Sequence, residues 1–150
     1  MGNVGGTTDW TVDTGVLYAA AAADLDATSL LMRIRQKAHL VAFDHEGHIQ
    51  REYRDCVGRT RSELLRKWLK VCVAKLAVHH TGKLDKKHRD ALEKLRFDRD
   101  DWPFVGVCSR TSSRSLVSDD SDYTPEVRDY LSVEMGIHVR DATTSLAACG

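Results

Sequence analysis

The chain reads as an α/β protein, with a short and mainly parallel central sheet in a three-layer α/β/α arrangement. Three observations predict this. Short apolar runs rich in β-branched and aromatic residues alternate with stretches whose apolar residues recur at helical spacing. Acids follow several of the short runs, which places polar groups at strand ends. No internal repeat interrupts the alternation, and 150 residues amount to about one domain. Residues 9–150 are therefore expected to form a single domain behind a Gly-rich, flexible lead-in over 1–8.

Trp10, Thr11 and Val12 are β-formers, and Asp13 ends their run. Gly15 breaks the strand, and 16–23 turns into helix-forming Ala and Leu. Asp24-Leu25-Asp26 reads as a break, after which Thr28 or Ser29 caps a helix over 30–37 with Leu30, Leu31 and Ile34 on one face. A second strand is expected over 39–43. Asp44 ends it and is placed to cap a helix over 46–57, whose Ile49, Tyr53, Cys56 and Val57 mark the buried side. Glu52 stands at the edge of that face.

Ser62 opens a long helix to 78 with Leu65, Leu69, Cys72, Val73 and Leu76 as its stripe, and Gly82 follows as a stop. A charged helix over 83–95 turns Leu84, His88, Leu92 and Leu95 inward. Pro103 fits the first turn of a helix preceded by acids, which goes on to Arg110. A strand over 116–118, a helix over 125–135 stopped by Gly136, and a last strand over 137–139 complete the chain. Such alternation implies a parallel sheet with helices on both faces. The expected core holds Val12, Val16, Leu17, Leu31, Ile34, Val41, Phe43, Ile49, Tyr53, Leu65, Leu69, Val73, Phe104, Val107, Leu116, Val117, Leu131 and Ile137.

Basic and acidic side chains balance at 22 each, so total charge selects no partner. Their distribution says more: net −3 over 1–50, +8 over 51–99 and −5 over 100–150. A basic middle between acidic ends suits a polyanion held beside metal-binding acids, although a set of solvated helix faces is by itself the simpler explanation of the pattern. Cys56, Cys72, Cys108 and Cys149 form no Cys-x-x-Cys pair, which argues against a redox dithiol or zinc knuckle and fits a reducing, cytoplasmic setting. No signal peptide and no apolar run of about 18 residues is present, so no membrane partner is expected. His45-x-x-His48 and His79-His80 lack the helical zinc pattern, and neither a nucleophile elbow nor a phosphate loop occurs.

The chemistry lies in the acids. Asp13 and the group Asp119, Asp120 and Asp122 each follow a short apolar strand, and in a parallel sheet those strand ends share one edge. Glu52 and Asp101, both carried on helices, can lean over the same edge. Several carboxylates there repel one another unless divalent cations sit among them, and hard oxygen ligands favour Mg²⁺ or Mn²⁺. Such a site suits phosphodiester hydrolysis. The competing structural role for Asp13 is a helix cap.

These segments, in their order, resemble the PIN-domain ribonuclease family. Val12-Asp13-Thr14-Gly15-Val16-Leu17 is similar to the family's strand-ending Asp-Thr-Asn/Gly-Val-Leu, and Ile49-Gln50-Arg51-Glu52-Tyr53 to its helical Ile-x-x-Glu-Tyr. Asp100-Asp101-Trp102-Pro103-Phe104-Val105 is similar to its Asp-x-x-Phe segment, and Val117-Ser118-Asp119-Asp120-Ser121-Asp122-Tyr123 to its Val-Thr-x-Asp-x-Asp-Phe/Leu. The likeness spans about residues 9–140. Two features depart from it: Val105-Gly106-Val107-Cys108 stands where members are usually Ala/Leu-rich, and the basic helices over 62–95 are long.

The resemblance implies a Mg²⁺- or Mn²⁺-dependent endoribonuclease acting on single-stranded or structured RNA. Asp13, Glu52, Asp101 and Asp120 would be its catalytic acids, and Asp13, Asp101, Asp120 and Asp122 would surround the metal. Thr14 or Ser118 would bond a carboxylate or a phosphate oxygen. Arg51, Arg54, Arg59 and Arg61 follow Glu52 closely and are expected to meet the RNA backbone. Many members are homodimers, and many small bacterial ones are toxins held by an antitoxin, so a second copy or a protein partner is also implied. The alternative is a catalytically silent PIN-like module that binds RNA without metal, or a protein partner, with the basic 51–99 segment doing the binding.

Overall fold

Asp9–Val12 (β1) is buried along its whole length, as a short apolar strand must be when strands flank it on both sides. The computed structural model describes residues 8–149, so the lead-in expected over 1–8 lies outside the described residues except for Thr8. In it β1 pairs in parallel with Leu40–Asp44 (β2) and with Ser115–Val117 (β4). Ala77–His80 (β3) adds to β2, and His138–Arg140 (β5) adds to β4. The sheet is parallel throughout, in the order β3-β2-β1-β4-β5. Strand order reverses between β1 and β4, and in open α/β sheets the crevice at that reversal is where ligands collect.

The helices Thr14–Ala21 (α1), Leu25–Gln36 (α2), His48–Thr60 (α3), Glu63–Val71 (α4), Lys86–Lys94 (α5), Trp102–Cys108 (α6), Pro125–Met135 (α7) and Ala142–Ala148 (α8) flank the sheet in a three-layer α/β/α fold. Helix α6 lies across β2, β1 and β4, while α1 packs on α2 and α3. One continuous core joins them, with Trp10, Trp68, Tyr53, Phe43 and Phe104 as its largest side chains. The Trp68 indole donates to the Leu31 carbonyl at 2.9 Å and fastens α4 to α2. No single helix among the described residues is long and apolar enough to cross a membrane.

The chain departs from the sequence expectations in four places. The helix expected over 62–78 ends at Val71, opens into a wide turn over Cys72–Leu76, and then becomes β3. A wide turn adds a residue per turn and rotates the apolar stripe. Val73, expected in the core, is therefore 42 % exposed, while Cys72 and Leu76 stay buried. Helix α2 begins at Leu25 rather than 30, because Asp24 itself caps it by accepting the Ala27 amide at 2.9 Å. Helix α5 is shorter than 83–95, and its His88 bonds the Tyr130 hydroxyl at 2.7 Å instead of entering the core. Helix α8 has no counterpart among the sequence expectations. Asp141 caps it through the Thr144 amide, and it packs on α2.

A glycine at position 106 in α6 has a steric reason. A Cβ on Gly106 would stand 2.1 Å from the Gly82 carbonyl oxygen, so α6 and the segment after β3 touch backbone to backbone. Gly106→Ala is expected to cost about 1–3 kcal/mol by overpacking, a melting-temperature loss of roughly 3–10 °C in thermal unfolding. Gly58 in α3 has open space where its Cβ would be. Gly58→Ala is expected to gain about 0.5–1 kcal/mol, and a loss there comparable to Gly106→Ala would refute the steric account.

Candidate active site

Asp13 leaves the buried end of β1 with 5 % exposure. It occupies the N-cap position of α1, yet its side chain makes no cap bond. Instead Oδ2 accepts the Ser118 hydroxyl at 2.7 Å, which ties the end of β1 to the residue after β4. The Asp13 amide reaches across the same reversal to the Val117 carbonyl at 2.9 Å. Ser118 Oγ accepts the Asp120 amide at 3.0 Å, and Asp120 Oδ1 accepts the Asp122 amide at 2.9 Å, so the acidic loop is folded on its own side chains. Beneath Asp13, the Tyr53 hydroxyl donates to the Val12 carbonyl.

Glu52 arrives from α3, whose start is fixed by Asp44 at the end of β2. The two oxygens of Asp44 accept the His48 and Ile49 amides at 2.9 and 2.7 Å. One turn later, Glu52 Oε1 accepts the Thr14 hydroxyl at 2.8 Å and Oε2 lies 2.6 Å from His48 Nε2. The same His48 nitrogen is 3.0 Å from the Asp100 carbonyl oxygen and ties α3 to the acidic turn before α6.

Asp13, Glu52, Asp101 and Asp120 line one open cleft of about 450 Å³, joined by Thr14, Gly15, Tyr18, Asp55, Arg59 and Asp100. Burial pushes the Asp13 carboxyl up to about 6, aided by Asp120 and Glu52 and opposed by the Ser118 bond. Burial raises Asp101 to about 8, with Asp13, Asp120, Asp98 and Asp122 adding repulsion. Asp122 does not line this cleft. It stands at the adjoining corner, where carboxylate oxygens of Asp98, Asp101 and Asp122 lie within 4.8 Å of one another. Asp120, first among its neighbours, raises its carboxyl. Tyr123 is 3 % exposed, its ring 5.0 Å from that of Phe97, and its hydroxyl has no hydrogen-bond partner.

The oxygens available fit a hard divalent cation. They belong to carboxyl groups whose ionisation burial and crowding oppose in the absence of a cation, beside a buried phenol hydroxyl with an unfilled bond. Among the described residues, Asp98, Asp101 and Asp122 are the acids whose oxygens stand close enough to share one ion; Asp13 and Asp120 line the cleft beside Asp101 without joining that group.

Of the four arginines expected at nucleic acid, only Arg59 lines the cleft. Arg54 borders a separate, mostly apolar groove of about 460 Å³ between α3 and α4, with Val57, Leu69 and Val73. Arg51 is exposed, and Arg61 takes a left-handed conformation at the end of α3. Sequence reasoning passed over His48, Asp98 and Tyr18. The available signals were helical offsets, His48 four before Glu52 and Tyr18 four after Thr14. No family model matches the sequence, and no curated protein or solved structure is significantly similar to it.

Raised carboxyl values have a definite consequence for stability. Asp13 and Asp101 hold protons more tightly folded than unfolded, so their contribution is full in acid and is lost as pH rises through about 6 and about 8. The metal-free protein is therefore expected to melt lower at pH 8 than at pH 5, with Asp13 contributing roughly 1.4 kcal/mol of the difference, the part of its effect that falls between pH 5 and about 6. Asp13→Asn should flatten that slope. A melting temperature that rises over the same interval would contradict the burial of these charges.

Proposed function

We propose that this chain is a PIN-type, metal-dependent endoribonuclease that hydrolyses RNA phosphodiester bonds. The observation that carries the proposal is the convergence of Asp13, Glu52, Asp101 and Asp120 in one cleft at the reversal between β1 and β4. Mg²⁺ or Mn²⁺, when bound, supplies Lewis acidity and a nucleophilic water at neutral pH. The chain's own residues do the positioning. Ser118 fixes the rotamer of Asp13, and Thr14 with His48 clamps both oxygens of Glu52. Asp122 and Asp98 orient around Asp101 from the open side. The four cysteines are free and buried, which accords with a reducing, cytoplasmic setting. An antitoxin-like protein partner and a homodimer both belong to this proposal, with the apolar groove beside Arg54 as the surface available to either.

The test is cleavage of mixed single-stranded RNA with Mn²⁺ and with EDTA, beside the Asp13→Asn and Asp101→Asn variants. Cleavage is expected with metal only, with each variant reduced by at least about a hundredfold while keeping the wild-type circular-dichroism spectrum. Cleavage by Asp101→Asn at the wild-type rate would remove Asp101 from the site. RNA binding that needs no metal, with no cleavage in any lane, would favour the silent module.

A further inference from the structure

Arg59 and Tyr18 line the acidic cleft from two different helices. Tyr18 lies one turn beyond Thr14 on α1, and Arg59 lies two turns, about 10 Å, beyond Glu52 on α3. Tyr18 is 37 % exposed. Among the exposed large apolar side chains of the described residues (Tyr18, Leu25, Leu40, Val73 and Val133) it alone is aromatic and it alone borders this cleft. Arg59 is the only cationic side chain in the lining and joins none of the ion pairs formed among the described residues.

A cleft with this many carboxylates repels a phosphodiester everywhere except at its cation. A backbone phosphate entering it is drawn to Arg59, which offers a planar, bidentate donor. The neighbouring base then meets the wall that carries Tyr18. An exposed ring gives a π-face for a base whose own face is free, and such stacking tolerates any sequence. Bases within a duplex already stack on one another and cannot lie on the ring without unpairing.

We propose that Tyr18 and Arg59 seat the unpaired nucleotide beside the scissile phosphate, the base on Tyr18 and the phosphate on Arg59, so that the site selects single-stranded over duplex RNA. The placement rests on the nuclease reading of the cleft. Tyr18 is thus a specificity-determining residue, with no part in the bond-breaking step.

The experiment is steady-state cleavage, with Mn²⁺, of a short mixed-sequence single-stranded RNA and of the same sequence as a duplex. It compares the wild type with Tyr18→Ala, Tyr18→Phe and Arg59→Ala. Tyr18→Ala is expected to raise KM for the single strand about tenfold with little change in kcat, and Tyr18→Phe to restore it. Arg59→Ala should raise KM for both forms and lessen the salt dependence of binding. The preference for single strand over duplex should shrink in Tyr18→Ala. Wild-type KM in Tyr18→Ala, or a rise that Tyr18→Phe does not reverse, would overturn the base platform and leave the nuclease reading standing. Wild-type protein that cleaves neither RNA would overturn both.

Discussion

The structure depends on keeping a carboxylate at the end of a fully buried strand. Asp13 can neither reach bulk water freely nor cap the helix that follows it. Its neighbours meet the need in part: Ser118 donates one hydrogen bond, and Thr14 and Tyr53 settle the polar groups on either side. What remains is repulsion from Glu52 and Asp120, together with burial, and both carboxyls most affected, Asp13 and Asp101, are held back from ionising. A core built for stability alone would place apolar residues here. A local violation of that kind, surrounded by consistent packing, is the feature on which the proposed metal-dependent site rests.

The scaffold holds this tension through a few specific contacts. Asp44 grips the first amides of α3 and so sets where Glu52 falls one turn later. The backbone approach of Gly106 to Gly82 brings α6 close beneath β2, with the Asp98–Asp101 turn at its head. Glu46 accepts the Thr81 hydroxyl and the Gly82 amide at 2.8 and 2.7 Å, which closes the turn after β3 against the start of α3. These contacts join β2, β3, α3 and α6 and so position Glu52 and the turn that carries Asp101, whereas Asp120 and Asp122 lie in a loop folded on its own side chains.

Four of the five strands were legible to within a residue at each end, because β-branched and aromatic runs bounded by Asp or Gly admit few other interpretations. Helix α7 matched over its full length, since Pro125 and Gly136 punctuate it. The strand β3 was not legible. Its residues continue the apolar stripe of the preceding helix, and only pairing with Val41–Asp44 makes Ala77–His80 extended. Helix α8 carries one large apolar residue, Leu146, so its helical signal was too faint before α2 offered a surface to dock on.

For the site, local chemistry marked the acids that end strands or stand at helix borders, and their order along the chain suggested a common edge. By itself the sequence determined residue types, the alternation that requires a parallel sheet, and the positions where carboxylates would fall. Tertiary structure decided which of these meet. It put Arg59 in the cleft and Arg54 in a different groove, turned Val73 outward, and brought Tyr18 to the acidic cleft, His48 to the Asp100 carbonyl and Asp98 to Asp122. The physical reason is that strand ends are set by local backbone preference, whereas convergence of side chains depends on helix register and strand order. Both are fixed by contacts between residues far apart in sequence.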